Sequence, residues 1–195
     1  MRSLLLATLF LVPTAFSFAQ NQSPEYDKVE IFTGYSNAAE ITPFDDDGRL
    51  EHGFNASAAY NFHRYFGFKV DVSGTYKKVT DNPFYRTNHS FYNVTAGIQI
   101  KNNKRSARVK PFAHFLLGYA RHSDKVRGVC PSGSPCPPSF DFNFHGVSAI
   151  IGGGLDIKVN RRIDVRVAQF DLSAISDEDY AYGRTRFSTG IVFKL

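Results

Sequence analysis

Residues Gly183–Leu195, GRTRFSTGIVFKL, decide how the rest of the chain is read. Every second position back from the end gives Leu195, Phe193, Ile191, Thr189 and Phe187. The positions between them give Lys194, Val192, Gly190, Ser188, Arg186 and Arg184. A period of two places these sets on opposite faces of a β-strand, one an apolar stripe and the other mostly polar. A strand in this place must pair along both edges or leave one of them open. Closing a barrel pairs it, and the apolar stripe makes that barrel a membrane-spanning one.

The same alternation recurs upstream in seven segments: Lys28–Ser36, Gly53–Phe62, Phe66–Tyr76, Phe91–Lys101, Val109–Arg121, Gly146–Val159 and Ile163–Ser173. In the third, for example, Phe68, Val70, Val72 and Tyr76 oppose Lys69, Asp71, Ser73 and Thr75. The fifth is apolar on both faces, and its inward row is read as Lys110, His114 and Gly118. Segments of this length match a tilted strand crossing a bilayer, which needs about 9–11 residues. The connections His63–Tyr65, Asn102–Arg108 and Asn160–Arg162 are short. Asn37–His52, Lys77–Ser90, His122–His145 and Ala174–Ala181 are longer. Short turns at one rim and long loops at the other are the asymmetry of an outer-membrane barrel. The predicted fold is all-β: an eight-stranded antiparallel up-and-down transmembrane β-barrel.

Composition agrees. The 195 residues include 19 Phe and 10 Tyr but no Trp, and the mean hydropathy is −0.26. Abundant aromatics without long apolar runs fit residues dispersed by alternation. Tyr35, Tyr60, Phe62, Tyr65, Phe66, Tyr76, Tyr92, Tyr119 and Phe193 stand near segment ends, where interfacial girdles form. The one apolar run lies in Met1–Gln20, behind Arg2 and ahead of the small residues Ser17 and Ala19. It is too short for a spanning helix and reads as a secretory signal peptide, residues 1–19, cleaved to leave the barrel domain 20–195.

The apolar rows avoid charge through their middles, while the opposite rows carry Glu30, Lys69, Asp71, Lys110, Asp156, Lys158, Asp164, Arg166, Arg184 and Arg186. A Lys or Arg at the lipid midplane costs about 2–4 kcal/mol, so these rows face inward. Eight strands enclose a space that side chains just fill, which predicts a lumen packed with paired acids and bases. A selective channel is the alternative. Gly152, Gly153 and Gly154 suit a bend or the close approach of a bulky neighbour.

The formal charge of +5 does not point to nucleic acid, because export removes that partner and the basic residues are scattered. Lipopolysaccharide is the expected anionic partner. Cys130 and Cys136 bracket a short Pro- and Gly-containing stretch, and in an exported chain that spacing reads as a local disulfide. No second cysteine pair or nearby histidine cluster completes a metal set, so neither a metal nor a cofactor is expected. Asp45–Gly48 resembles part of a calcium loop but lacks the downstream acid, and reads as a solvated turn. No enzyme is expected either. His89 and Ser90, His122 and Ser123, and His145 and Ser148 are at odd offsets, which set them on opposite faces of a strand.

Five stretches carry a resemblance: VEIFTGYS from Val29, VKPFAHFLLGYAR from Val109, AIIGGGLDIKV from Ala149, IDVRVAQFDL from Ile163 and FSTGIVFKL from Phe187. With them the chain resembles the small outer-membrane β-barrel family of OmpA-type and opacity-type proteins, over about Tyr26–Leu195. The resemblance implies an integral bacterial outer-membrane protein with surface loops. It also implies delivery by periplasmic chaperones and a last strand read by the barrel-assembly machinery. The residues concerned are Phe187, Ile191, Phe193 and Leu195; the family usually ends in Phe, where this chain has Leu195. The expected role is structural and interactive, with loops for adhesion-type contacts and a filled lumen. A narrow non-specific pore is the runner-up, ahead of a lipid-modifying barrel enzyme and a soluble lipocalin-like binding barrel.

Overall fold

A computed structural model describes residues 25–41, 50–82, 84–130, 137–176 and 181–195. The segment read as a signal peptide, Asp45–Gly48 and Cys136 lie outside these residues. The order is β1 (Val29–Ile41), β2 (Glu51–Asn61), β3 (Phe66–Asn82), β4 (Tyr85–Lys101), β5 (Val109–Gly128), β6 (Phe140–Lys158), β7 (Ile163–Ser176) and β8 (Ala181–Lys194). Each strand pairs antiparallel with its neighbour in sequence, and β8 returns to β1 to close the barrel. The closing ladder runs from Glu30 opposite Lys194 to Ile41 opposite Gly183, and the Leu195 amide donates to the Val29 carbonyl at 2.9 Å.

The outer wall is apolar. Ile31, Phe68, Val94, Leu117, Ile151 and Ile191 point outward and exposed, while Lys69 is only 1 % exposed and Asp156 fully buried. This is the inverse of a soluble barrel, which buries its apolar row. Tyr35, Tyr76, Tyr92 and Tyr119 ring the outer end of the wall, and Tyr60, Phe62, Tyr65, Phe66 and Phe193 ring the inner end. The Tyr76 hydroxyl donates to that of Tyr92 at 3.0 Å, tying the girdle across β3 and β4.

Two findings depart from the sequence reading. Two of the four segments read as long loops are largely strand: β3 and β4 run on past Tyr76 and Tyr92 to meet near Asn82 and Tyr85, β5 continues to Gly128, and β6 already begins at Phe140. From Tyr119 to Gly128, β5 adds roughly 30 Å of strand at about 3.3 Å per residue. Beyond the tyrosines the outward row becomes Lys78, Arg86, Asn88, Arg121 and Lys125. The outward apolar row therefore ends, although the backbone ladder persists. At the start of β6 the alternation survives in the opposite phase, with Phe140, Phe142 and Phe144 between Asp141, Asn143 and His145.

The second departure is a β-bulge in β7. Arg166 opposes Gly190 and Gln169 opposes Ser188, so Val167 and Ala168 together face one residue of β8. The extra residue shifts the inward parity. Strict alternation carried on from Arg166 turns Asp171 toward lipid; the structure buries both Gln169 and Asp171 in the lumen.

Candidate functional site

The lumen is built in layers. Nearest the inner rim, Lys110 Nζ lies 3.0 Å from Asp164 Oδ2 and 3.6 Å from Asp27 Oδ2. Lys194 bonds the other Asp164 oxygen. Lys158 sits at this rim too, donating to the Arg105 backbone carbonyl rather than entering a buried ion pair.

Above it, Lys101 Nζ bridges Glu30 Oε2 at 2.6 Å and Asp156 Oδ2 at 2.7 Å. Arg166 donates through Nε to Asp156 Oδ1 at 2.8 Å and through Nη1 to Gln169 Oε1 at 2.7 Å. Its guanidinium carbon sits 4.2 Å from the ring centroids of both Phe32 and Phe112. A planar cation between two rings is desolvated by them while its edge bonds the acids.

In the third layer Arg186 reaches Asp171 Oδ2 at 2.6 Å and Asp71 Oδ1 at 2.9 Å. Lys69 Nζ stands 3.4 Å from Asp71 and His114 Nε2 3.0 Å from Asp171. Asn55 donates to Asp71 at 2.8 Å. The glycines belong to this packing. A Cβ on Gly152 would overlap the Asp171 carboxylate, and one on Gly154 would meet the Phe112 ring edge at 2.8 Å.

Towards the outer mouth Arg184 stacks 4.0 Å over the Phe91 ring and bonds Glu51 at 2.5 Å, and Thr75 donates to the same Glu51 oxygen at 2.7 Å. Phe91, Ala120 and Ile175 make an apolar band here, with Phe144 and Tyr182 packed against it. Between Arg184 and Arg186 lies a cavity of about 20 Å³, room for a single water rather than a path.

Above the tyrosine girdle, outside the apolar wall, three inward side chains of the β4–β5 hairpin converge. His89 Nδ1 and His122 Nε2 each lie 2.7 Å from Asp124 Oδ1. Burial pushes the His122 imidazole toward neutrality, but the hydrogen bond to Asp124 and that carboxylate's charge together outweigh this and hold its pKa above the ordinary value. Burial likewise favours the protonated Asp124, and His122 overcomes that and holds the carboxyl below its usual range.

Of the residues singled out in the sequence, Glu30, Lys69, Asp71, Asp156, Asp164, Arg166, Arg184 and Arg186 are all brought into the lumen. Phe187, Ile191, Phe193 and Leu195 lie along the outer face of β8. The Cys130–Cys136 pairing falls outside the described residues. Sequence reading passed over Asp27, Lys101, Gln169, Asp171 and the His89–His122–Asp124 group. Lys101 continues the polar row of Asn93, Thr95 and Gln99, so that signal was present. Asp171 was hidden by the bulge, and the histidine group by segments taken for loops.

The model of the outer membrane protein beta-barrel domain matches residues 3–194. The chain belongs to this family. It is therefore an integral barrel of a bacterial outer membrane. Among solved structures, this outer-membrane barrel is similar to Neisserial surface protein A, at 16 % identity and a TM-score of 0.64, covering 86 % of this chain and 97 % of that one. It is also similar to Ail, the attachment invasion locus protein of Yersinia pestis, at 17 % identity and a TM-score of 0.58, covering 87 % and 99 %. Ail in complex with the heparin analogue sucrose octasulfate matches at 15 % identity and 0.60, covering 87 % and 99 %. Identities this low establish the shared fold alone. No curated protein matches the chain.

Proposed function

We propose that this outer-membrane barrel is a plugged anchor whose function lies at its outer rim, where its strand extensions meet surface ligands, and not in transport through its centre. The observation that carries this reading is the stack of ion-paired layers from Asp164 through Asp156 and Asp171 to Glu51, each cation in it held by a carboxylate or between aromatic rings. A conducting barrel leaves solvent-exposed charges along its axis, whereas these are buried and each stands beside an opposite charge.

The basic row Lys78, Arg86, Arg121 and Lys125, exposed just above the tyrosine girdle, supports contact with lipopolysaccharide phosphates or other acidic glycans. Ail, of the same fold, was solved with a heparin analogue. Residues 1–19 act as the cleaved export signal in this reading, and a Cys130–Cys136 bridge staples the tip between β5 and β6. The outer row of β8, ending Phe193 and Leu195, is what chaperones and the assembly machinery would engage. No catalytic role is assigned.

Planar-bilayer recording of the refolded barrel tests the plug. The expected result is a silent membrane at protein levels that give steady current steps with a large porin. Reproducible steps from this protein, abolished by heat denaturation before insertion, would replace the anchor with a narrow pore.

A further inference from the structure

We propose that His89, His122 and Asp124 form a binding site for one divalent transition-metal ion of the zinc type at the outer mouth of the barrel. The hairpin dictates the arrangement. His89 on β4 stands directly opposite Asp124 on β5. His122, two residues before Asp124, shares its face, because side chains two apart on a strand point the same way. Two imidazole nitrogens and one carboxylate oxygen therefore come from a rigid two-stranded frame, and all three lie within 4.8 Å of one another. The rings are held from behind: His122 meets the Phe91 ring edge-on at 6.3 Å and 87°, and the two histidine rings cross at 62°.

The chemistry of the donor set selects the ion. Two imidazoles with one carboxylate are the ligands of open zinc sites, in which a fourth position is left for water, while oxygen-only shells suit calcium and magnesium. Tetrahedral ligands about 2 Å from a metal stand roughly 3.3 Å apart. The two 2.7 Å contacts to Asp124 thus open by about half an ångström, within the reach of a rotamer adjustment. The ion takes the place of the two ring protons now shared with the carboxylate. The site is reachable, since the three side chains are 27 %, 17 % and 28 % exposed. It also faces the space above the lumen plug, so an ion enters from outside the cell and not through the barrel. The metal would tie β4 to β5 above the lipid, where no apolar wall holds them together.

Cobalt(II) serves as the spectroscopic probe. Mature protein in detergent micelles, stripped by chelator, is titrated with cobalt and then with zinc. The expected result is one equivalent of cobalt giving visible d–d bands, displaced by zinc, without thiolate-to-metal charge-transfer absorption. His122→Gln and Asp124→Asn should each weaken binding at least tenfold, and His145→Ala, on the outer face of β6, should leave it unchanged. Heat-modifiable gel mobility verifies that each variant is folded. His89→Gln is the second histidine variant should His122→Gln fail that control. Absence of binding below millimolar cobalt would overturn the proposal. So would a thiolate signature pointing to the cysteines, or unaltered affinity in the folded variants.

Discussion

Arg166 shows how much one lumen side chain does. It neutralises Asp156, orients Gln169, and fills the gap between Phe32 and Phe112. Truncation to alanine removes a bonded charge and a stacked plane together, and breaking a buried pair costs about 3–5 kcal/mol. Lys101 remains on Asp156, so Arg166→Ala should fall near the lower end. The measurement is the temperature at which the folded, fast-migrating gel band disappears, which should drop clearly below that of wild type. Gly152→Ala acts by the opposite route. It adds one methyl where the Asp171 carboxylate already sits, and overpacking of this kind costs about 1–3 kcal/mol. The same assay should register it, while Gly183→Ala, where a Cβ meets nothing closer than 3.5 Å, should behave as wild type. The inward charges were legible because lipid forbids them outside. Which acid met which base was not, because partners such as Asp71 and Arg186 lie 115 residues apart and only the closed sheet brings them together.

At the level of the strand, the β7 bulge yields a sharper test than any point substitution. Removing Val167 leaves a regular alternation in which Asp164, Arg166, Gln169 and Asp171 still point inward, so a Val167 deletion should fold and reach the membrane. Removing Val165 instead puts Asp164 one step out of phase, drawing it out of its bonds to Lys110 and Lys194 and onto the hydrocarbon face. That variant should fail to give a heat-modifiable band. The sequence around the bulge does carry a trace of it, since the polar residues Arg166, Gln169 and Asp171 are spaced three and then two. A reading that held the period fixed could not use that trace. Strand ends were lost for a related reason. Alternation reports a difference between two environments, and past Tyr76, Tyr92 and Tyr119 the outward row turns polar, so hydrogen bonding continues without the apolar stripe that marks a lipid-facing strand. The alternation Phe140, Phe142, Phe144 at the start of β6 is in the opposite phase.

The whole molecule was legible in its count of strands, its antiparallel order and the facing of its wall, because one physical demand sets all three. Every backbone group in the hydrocarbon must be paired within the protein, and only a closed sheet does that with strands. The histidine-lined mouth answers to no such demand, which is why nothing in the pattern announced it. The meeting of β8 with β1 carries one more implication. The amide of Leu195 bonds the carbonyl of Val29, so the two ends of the sheet are neighbours and the place where the polypeptide starts is topologically arbitrary. A circular permutant that joins Leu195 to the segment before Val29 through a short linker, and opens instead at Pro83, would keep all eight ladders and should insert as the parent does.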